Sequence, residues 1–180
     1  MTLTSNLLFI ALPLALAALM KASNLLCAAS IGQTAPALVV EELNGHTFDL
    51  ATERGKVTIV NFWATWCPPC RNEMPTLDAF YKRYHAQGLE MIGLSADRPH
   101  DRSEVAKVMQ SFSYPAAMLR DAKSDGFDEP NALPVTYVVD KNGILRARLT
   151  PEDKPLTEQA LATVVIPLLS GSSATQASTH

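Results

Sequence analysis

The sequence predicts an α/β domain: one mixed β-sheet flanked by helices on both faces and opened by a β-hairpin. Three observations carry that prediction. Val57-Thr58-Ile59-Val60-Asn61-Phe62 is a nearly unbroken apolar, β-branched run, as a strand covered on both sides requires. Helix-period and strand-period segments then alternate from residue 68 to residue 119. Two Asn-Gly turns, at Asn44-Gly45 and Asn142-Gly143, each separate a pair of short strand-like segments.

Taken in order, the first hairpin joins 37–40 to 47–50, and the central strand follows at 57–62. After a cysteine-containing turn, Met74, Leu77, Tyr81 and Tyr84 recur at helical spacing until Gly88 stops the pattern. Residues 89–95 read as the next strand. Ser103 is the expected N-cap of a helix whose apolar face is Val105, Val108, Met109 and Phe112. A short strand is expected at 115–119. The polar, Gly- and Pro-punctuated stretch 120–131 predicts a turn or a brief helix. The second hairpin joins 135–140 to 144–149. A final helix over 155–169 turns Leu161, Val164, Val165 and Leu168 inward, with Pro155 in its first turn, where a missing N–H costs nothing. The small, polar end, 169–180, reads as a disordered tail.

A chain of 180 residues is one domain's worth, and 47 % apolar content is enough for a core. The net charge is −3, with no run of either sign. A nucleic-acid binder would carry a basic stripe, so nucleic acid is not an expected partner. The first thirty residues differ from the rest. From Leu7 to Met20 the chain is apolar except for Pro13, and Lys21 ends the run. That length suits a secretory h-region, and Cys27-Ala28-Ala29 offers small residues for cleavage near Ala29. The start, however, lacks Lys and Arg, and Leu25-Leu26 prolongs the apolar character. Residues 1–29 therefore read as a signal peptide or as an uncleaved N-terminal membrane anchor. Cys27 is assigned to this segment, since bulky Leu26 stands where a lipoprotein signal has a small residue.

With that segment set aside, two cysteines remain, Cys67 and Cys70. Loops so short staple nothing, so the pair is reactive or metal-binding. Placed between a buried strand and a helix, Cys67 would sit at the helix N-terminus. Unpaired N–H groups and the macrodipole favour an anion there, and thiol pKa values in such motifs fall to about 3.5–7.5 from about 8.5. Cys70, one turn in, would be the more buried thiol that resolves a mixed disulfide. Pro68 and Pro69 stiffen the first turn. Haem attachment needs His after the second cysteine, where Arg71 stands. A closed zinc site needs four ligands. A peroxidatic Pro-x-x-x-Thr-x-x-Cys setting is out of register with both cysteines. Redox exchange is the favoured reading, with no cofactor and no metal assigned; Cu(I) held by both thiolates is the alternative.

The run Val60-Asn61-Phe62-Trp63-Ala64-Thr65-Trp66-Cys67-Pro68-Pro69-Cys70-Arg71-Asn72-Glu73-Met74-Pro75, with Leu133-Pro134-Val135-Thr136-Tyr137-Val138-Val139-Asp140-Lys141-Asn142-Gly143, resembles the TlpA/ResA branch of thioredoxin-like proteins. The resemblance spans about 34–168 and implies a thioredoxin-like domain over 30–168 with an inserted βα unit. It implies an exported thiol–disulfide oxidoreductase in the periplasm or at the extracytoplasmic face, with a tether to the inner membrane if the N-terminus is retained. By the same resemblance Pro134, after Leu133, is the cis-proline that faces the disulfide and docks substrate backbone. Trp66 shields the disulfide from one side. Glu73 lines a cavity near the thiols and influences their protonation, and Asn61 stands where ordinary thioredoxins have a buried aspartate. The implied partners are protein disulfides, namely apocytochrome c haem-binding thiols or copper-site assembly proteins, and a membrane-bound thiol reductase that donates electrons. A noncatalytic adaptor of the same fold is the remaining alternative.

Overall fold

The computed structural model describes residues 29–127, 131–151 and 156–171. The N-terminal signal or anchor with Cys27, Pro155 itself and the tail beyond 171 lie outside the described residues; the last helix, expected from 155, begins at Glu158 behind the N-cap Thr157, whose hydroxyl accepts the Ala160 N–H. Among the described residues, no helix is long and apolar enough to cross a membrane.

Seven strands form one sheet: β1 (Leu38–Glu42), β2 (Thr47–Asp49), β3 (Val57–Trp63), β4 (Leu89–Ser95), β5 (Ala116–Asp125), β6 (Val135–Val139) and β7 (Leu145–Leu149). Their order across the sheet is β2-β1-β5-β4-β3-β6-β7. The parallel centre, β3 with β4 and β4 with β5, is flanked by antiparallel neighbours on both sides. All seven residues of β3 are buried, which is why its sequence runs apolar without alternation. Both hairpins form where expected, with Gly45 and Gly143 at φ of 86° and 75° in the turns.

Among the described residues three α-helices accompany the sheet: α1 (Pro68–Tyr84), α2 (Arg102–Met109) and α3 (Glu158–Leu169). Their inward side chains join one cluster with β3 to β6, including Met74, Leu77 and Phe80 from α1, Val105 from α2 and Leu161 and Val165 from α3. Helical cover was expected on both faces; all three α-helices lie on one. The reason is topological. The steps from β3 to β4 and from β4 to β5 run the same way across the sheet, and right-handed crossovers then put both helices on the same side. The opposite face, with Val60, Phe62, Ile92, Leu94 and Tyr137, is closed by β1 and β2, the short 3-10 turn Leu50–Glu53 and loop residues such as Ala35 and Phe127. Each such fully buried side chain contributes about 1.5–3 kcal/mol.

Two local expectations are corrected. The stretch expected as a turn or brief helix continues β5 to Asp125, pairing Leu38 with Asp125, Val39 with Ser124 and Val40 with Ala122. Its side chains are partly exposed, so it is polar, and only a partner distant in sequence makes it a strand. Helix α2 begins one residue before Ser103, after a 3-10 turn at Pro99–Asp101, and Asp101 occupies the cap position. Proline pre-sets the backbone angle for that earlier start.

Candidate active site

The site grows out of the end of β3. The Cys67 N–H closes a turn onto the Ala64 carbonyl at 3.2 Å, and Cys67 is the N-cap of α1. Pro68 and Pro69, the first two helical residues, have no N–H to offer. The first donor of the helix is therefore the Cys70 N–H, and it points at Cys67 Sγ at 3.3 Å. An anion on that sulfur would meet both this donor and the positive end of the helix. The two sulfurs are joined as a disulfide, with Sγ–Sγ at 2.04 Å. Burial is unequal: Cys67 retains 5 % exposure and Cys70 none.

Cys67 lines a groove of about 540 Å³ together with Trp66, Pro68 and Pro69 from the cysteine segment and Asn131, Ala132 and Leu133 from the approach to β6. Ala96 and Arg120 complete the lining. Trp66 stands 66 % exposed at its edge, an unusual position for a large aromatic without a ligand. The Leu133–Pro134 peptide is cis, and Pro134 is buried at the start of β6. The structure thus brings Trp66, Pro68, Pro69 and Leu133 together around Cys67. Among the described residues, no group of three or more His, Cys, Asp or Glu could hold a metal ion.

Glu73 lies one turn beyond Cys70 on α1 and is half-buried. Its Oε1 accepts one hydrogen bond, from Asn61 Nδ2 at 3.2 Å, and the same nitrogen donates to Thr136 Oγ1 at 2.9 Å. Burial pushes the Glu73 carboxyl up from 4.5 to about 7, and the Asn61 hydrogen bond only partly opposes it. Asn61, as an amide, cannot take up a proton itself, so Glu73 is the titrating group on this side of the motif. Polar atoms nearby on the helical face are underpaired as well: Asn61 Oδ1, Trp63 Nε1 and Tyr114 Oη have no hydrogen-bond partner among the described residues.

Sequence reasoning missed Asp97. This residue is 1 % exposed, just past the end of β4. Its Oδ2 accepts from the Thr65 N–H at 2.8 Å and from Ser95 Oγ at 2.7 Å, while Oδ1 accepts from Thr65 Oγ1 at 2.6 Å. Arg120, Asn131 and Ala132 were likewise not singled out as groove residues. The available signal was position, because α/β sites gather at the carboxyl ends of parallel strands and Ser95-Ala96-Asp97 follows one.

With that geometry in view, comparisons with known proteins are informative. Residues 31–148 match the AhpC/TSA family. A thiol-disulfide oxidoreductase ResA of Geobacillus kaustophilus is 35 % identical over 132 residues, covering 70 % of this chain and 75 % of the relative. The chain belongs to the AhpC/TSA family, within its ResA-type thiol–disulfide oxidoreductases. Solved structures agree on the thioredoxin-like fold. A thiol:disulfide interchange protein of the thioredoxin family from Chlorobium tepidum superposes with a TM-score of 0.62 at 27 % identity, over 79 % of this chain and 99 % of that one. A secreted thiol-disulfide isomerase from Corynebacterium glutamicum gives 0.62 at 24 % identity, over 75 % and 84 %. This ResA-type oxidoreductase carries one cysteine pair among the described residues, with Cys67 lining the groove and Cys70 buried behind it.

Proposed function

We propose that the protein reduces protein disulfides outside the cytoplasm, with Cys67 as nucleophile and Cys70 as resolving thiol. The observation that carries this reading is the Cys70 N–H aimed at Cys67 Sγ at the mouth of α1, on the wall of the groove. In the reduced protein the Cys67 thiolate attacks one sulfur of a substrate disulfide. That S–S bond breaks, the departing substrate thiolate takes a proton, and a mixed disulfide remains. Cys70 then gives up its proton, attacks Cys67 Sγ and releases the second substrate thiolate, leaving the intramolecular disulfide. Two electrons and two protons must return from a dithiol donor, for which a membrane-bound thiol reductase is the proposed source.

Trp66, Pro68, Pro69, Leu133 and Pro134 would seat the extended substrate, and Glu73 would exchange the proton of Cys70. Apocytochrome c haem-binding thiols, or the cysteines of copper-site assembly proteins, are the proposed substrates. Residues 1–29 would export the domain 30–168 to the periplasm or tether it at the inner membrane. The secreted nature of the Corynebacterium relative supports the compartment.

Insulin turbidity under dithiothreitol tests the chemistry. The wild type accelerates precipitation, Cys67→Ser does not, and Cys70→Ser accumulates a mixed disulfide. Equal rates for wild type and Cys67→Ser would overturn the assignment. The midpoint potential tests direction: a value near about −270 mV supports reduction, and one near about −120 mV would make the protein a disulfide donor.

A further inference from the structure

We propose that Asp97 is a positioning residue for disulfide exchange, holding the Ala64–Cys67 turn through both polar groups of Thr65 and so aiming Cys67 and Trp66 into the groove. This rests on Cys67 being the nucleophile. Asp97 belongs to β4's exit and the cysteines to β3's exit, so the contact carries the pairing of these two strands beyond the end of the sheet and into the cysteine turn. Both carboxyl oxygens are used. Oδ2 takes the Thr65 N–H and the Ser95 hydroxyl; Oδ1 takes the Thr65 hydroxyl. The Asp97 N–H in turn donates to Ser95 Oγ at 3.1 Å, which locks the carboxyl's own backbone. The neighbouring Ala96 N–H extends the sheet by donating to the Trp63 carbonyl at 2.9 Å.

No ion pair is recorded for Asp97 among the described residues, and all its donors are neutral. A fully buried carboxyl that spends two of its three bonds on one turn costs desolvation, and a neutral hydrophobe would hold packing at less expense. What it supplies instead is a fixed orientation for Thr65. Only Trp66 separates Thr65 from Cys67, and Cys67 is itself tied back through its N–H to the Ala64 carbonyl. Trp66, between Thr65 and Cys67, is the exposed aromatic of the groove. Fixing Thr65 therefore fixes both the attacking sulfur and the surface that meets the substrate. Misplacing a reacting group by about 1 Å can cost on the order of 100-fold in rate.

In Asp97→Asn the NH₂ can only donate: in place of Oδ2 it loses the Thr65 N–H, and in place of Oδ1 it keeps a bond only by reversing the Thr65 hydroxyl from donor to acceptor, so either arrangement disturbs the contact with Thr65. Thr65→Val removes only the hydroxyl, leaving the Thr65 N–H bond and the Asp97–Ser95 contact in place, and Thr65→Ser restores the hydroxyl. The test measures iodoacetamide labelling of the reduced full chain, read at Cys67 by mass spectrometry across the pH range in which thiols ionise, beside insulin reduction. Asp97→Asn and Thr65→Val are expected to slow both rates about ten-fold, with Thr65→Ser near wild type. Their double variant is expected to lose no more than Asp97→Asn alone, since both act on one contact. A merely structural role would lower melting temperature and leave the Cys67 labelling rate of folded protein unmoved. Wild-type labelling in both single variants, or losses that multiply in the double variant, overturns the proposal; should Asp97→Asn not fold, Thr65→Val against Thr65→Ser decides it. Cys67→Ser run alongside keeps the two questions apart. Insulin reduction that survives Cys67→Ser removes the nucleophile assignment, whereas the labelling rates still report on Asp97.

Discussion

Strand β6 joins two ends of the sheet that treat a carboxyl group in opposite ways. Just past its C-terminus, Asp140 is 6 % exposed and fully committed. Oδ1 accepts from the Asn142 and Ile144 N–H groups, both at 2.9 Å, and Oδ2 accepts from Arg146 Nε at 2.7 Å and Nη2 at 2.6 Å. Burial pushes this carboxyl up, but the Ile144 and Asn142 N–H groups and the Arg146 guanidinium outweigh it and hold Asp140 below 3.8. At the other end, beside Thr136, Glu73 has a single 3.2 Å bond from an amide and is pushed up to about 7. The end that closes a hairpin satisfies its acid. At the cysteine end Asp97 is fully paired too, but Glu73 is left with one bond, which suits the proton exchange proposed for it near neutral pH.

The comparison breaks first at Asp140. Asp140→Ala leaves two hairpin N–H groups and the exposed Arg146 without their acceptor and should cost about 2 kcal/mol in urea unfolding. Insulin reduction by the folded protein should stay at the wild-type rate; a loss of activity without loss of stability would show that the remote end matters to chemistry. The folded pKa lies below the unfolded 3.8, so the contribution is present above that pH and disappears as pH falls through the folded value.

Glu73 has the opposite sign. Its folded pKa of about 7 lies above 4.5, so folding takes up a proton and the protein loses stability as pH rises between those values. Glu73→Gln should flatten that dependence and raise stability at pH above 7 by at most about 3 kcal/mol, less as water reaches the side chain. It should also move the pH profile of thiol labelling, and an unchanged profile would remove Glu73 from the proton exchange.

Smaller effects sharpen the contrast. Gly93→Ala would put a methyl 3.1 Å from Tyr114 Cε2 and 3.2 Å from Trp63 Nε1, two fully packed rings behind the site. A loss of about 1–2 kcal/mol in thermal unfolding is expected, and none would mean that these rings yield freely. Trp66→Ala, at a 66 % exposed position, should leave the melting temperature nearly unchanged while raising KM for a peptide disulfide about three-fold. An unchanged KM would detach Trp66 from substrate seating.

Much of this was legible in the residues because it depends on near neighbours. The run 57–62 could only be a doubly covered strand, the Asn-Gly turns set two hairpins, and the Cys-Pro-Pro-Cys segment between strand and helix announced a thiol at a helix N-terminus. The length of β5 was hidden, since residues 120–125 are polar and become a strand through β1, about eighty residues upstream in the chain. Helix placement was misread for a related reason: the order of strands, not any helix's own pattern, decides which face a crossover covers.

By itself, then, the amino-acid order determined the chemistry available at Cys67 and Cys70 and the elements that carry them, because spacing, proline content and hydrophobic period act over a few residues. Tertiary structure alone decided how the acids around the motif are paired: Glu73 with Asn61 of β3, which also bonds Thr136 of β6, and Asp97 across to Thr65. Desolvation and hydrogen bonding depend on what lies within a few ångströms in space, and only the folded chain brings those groups together.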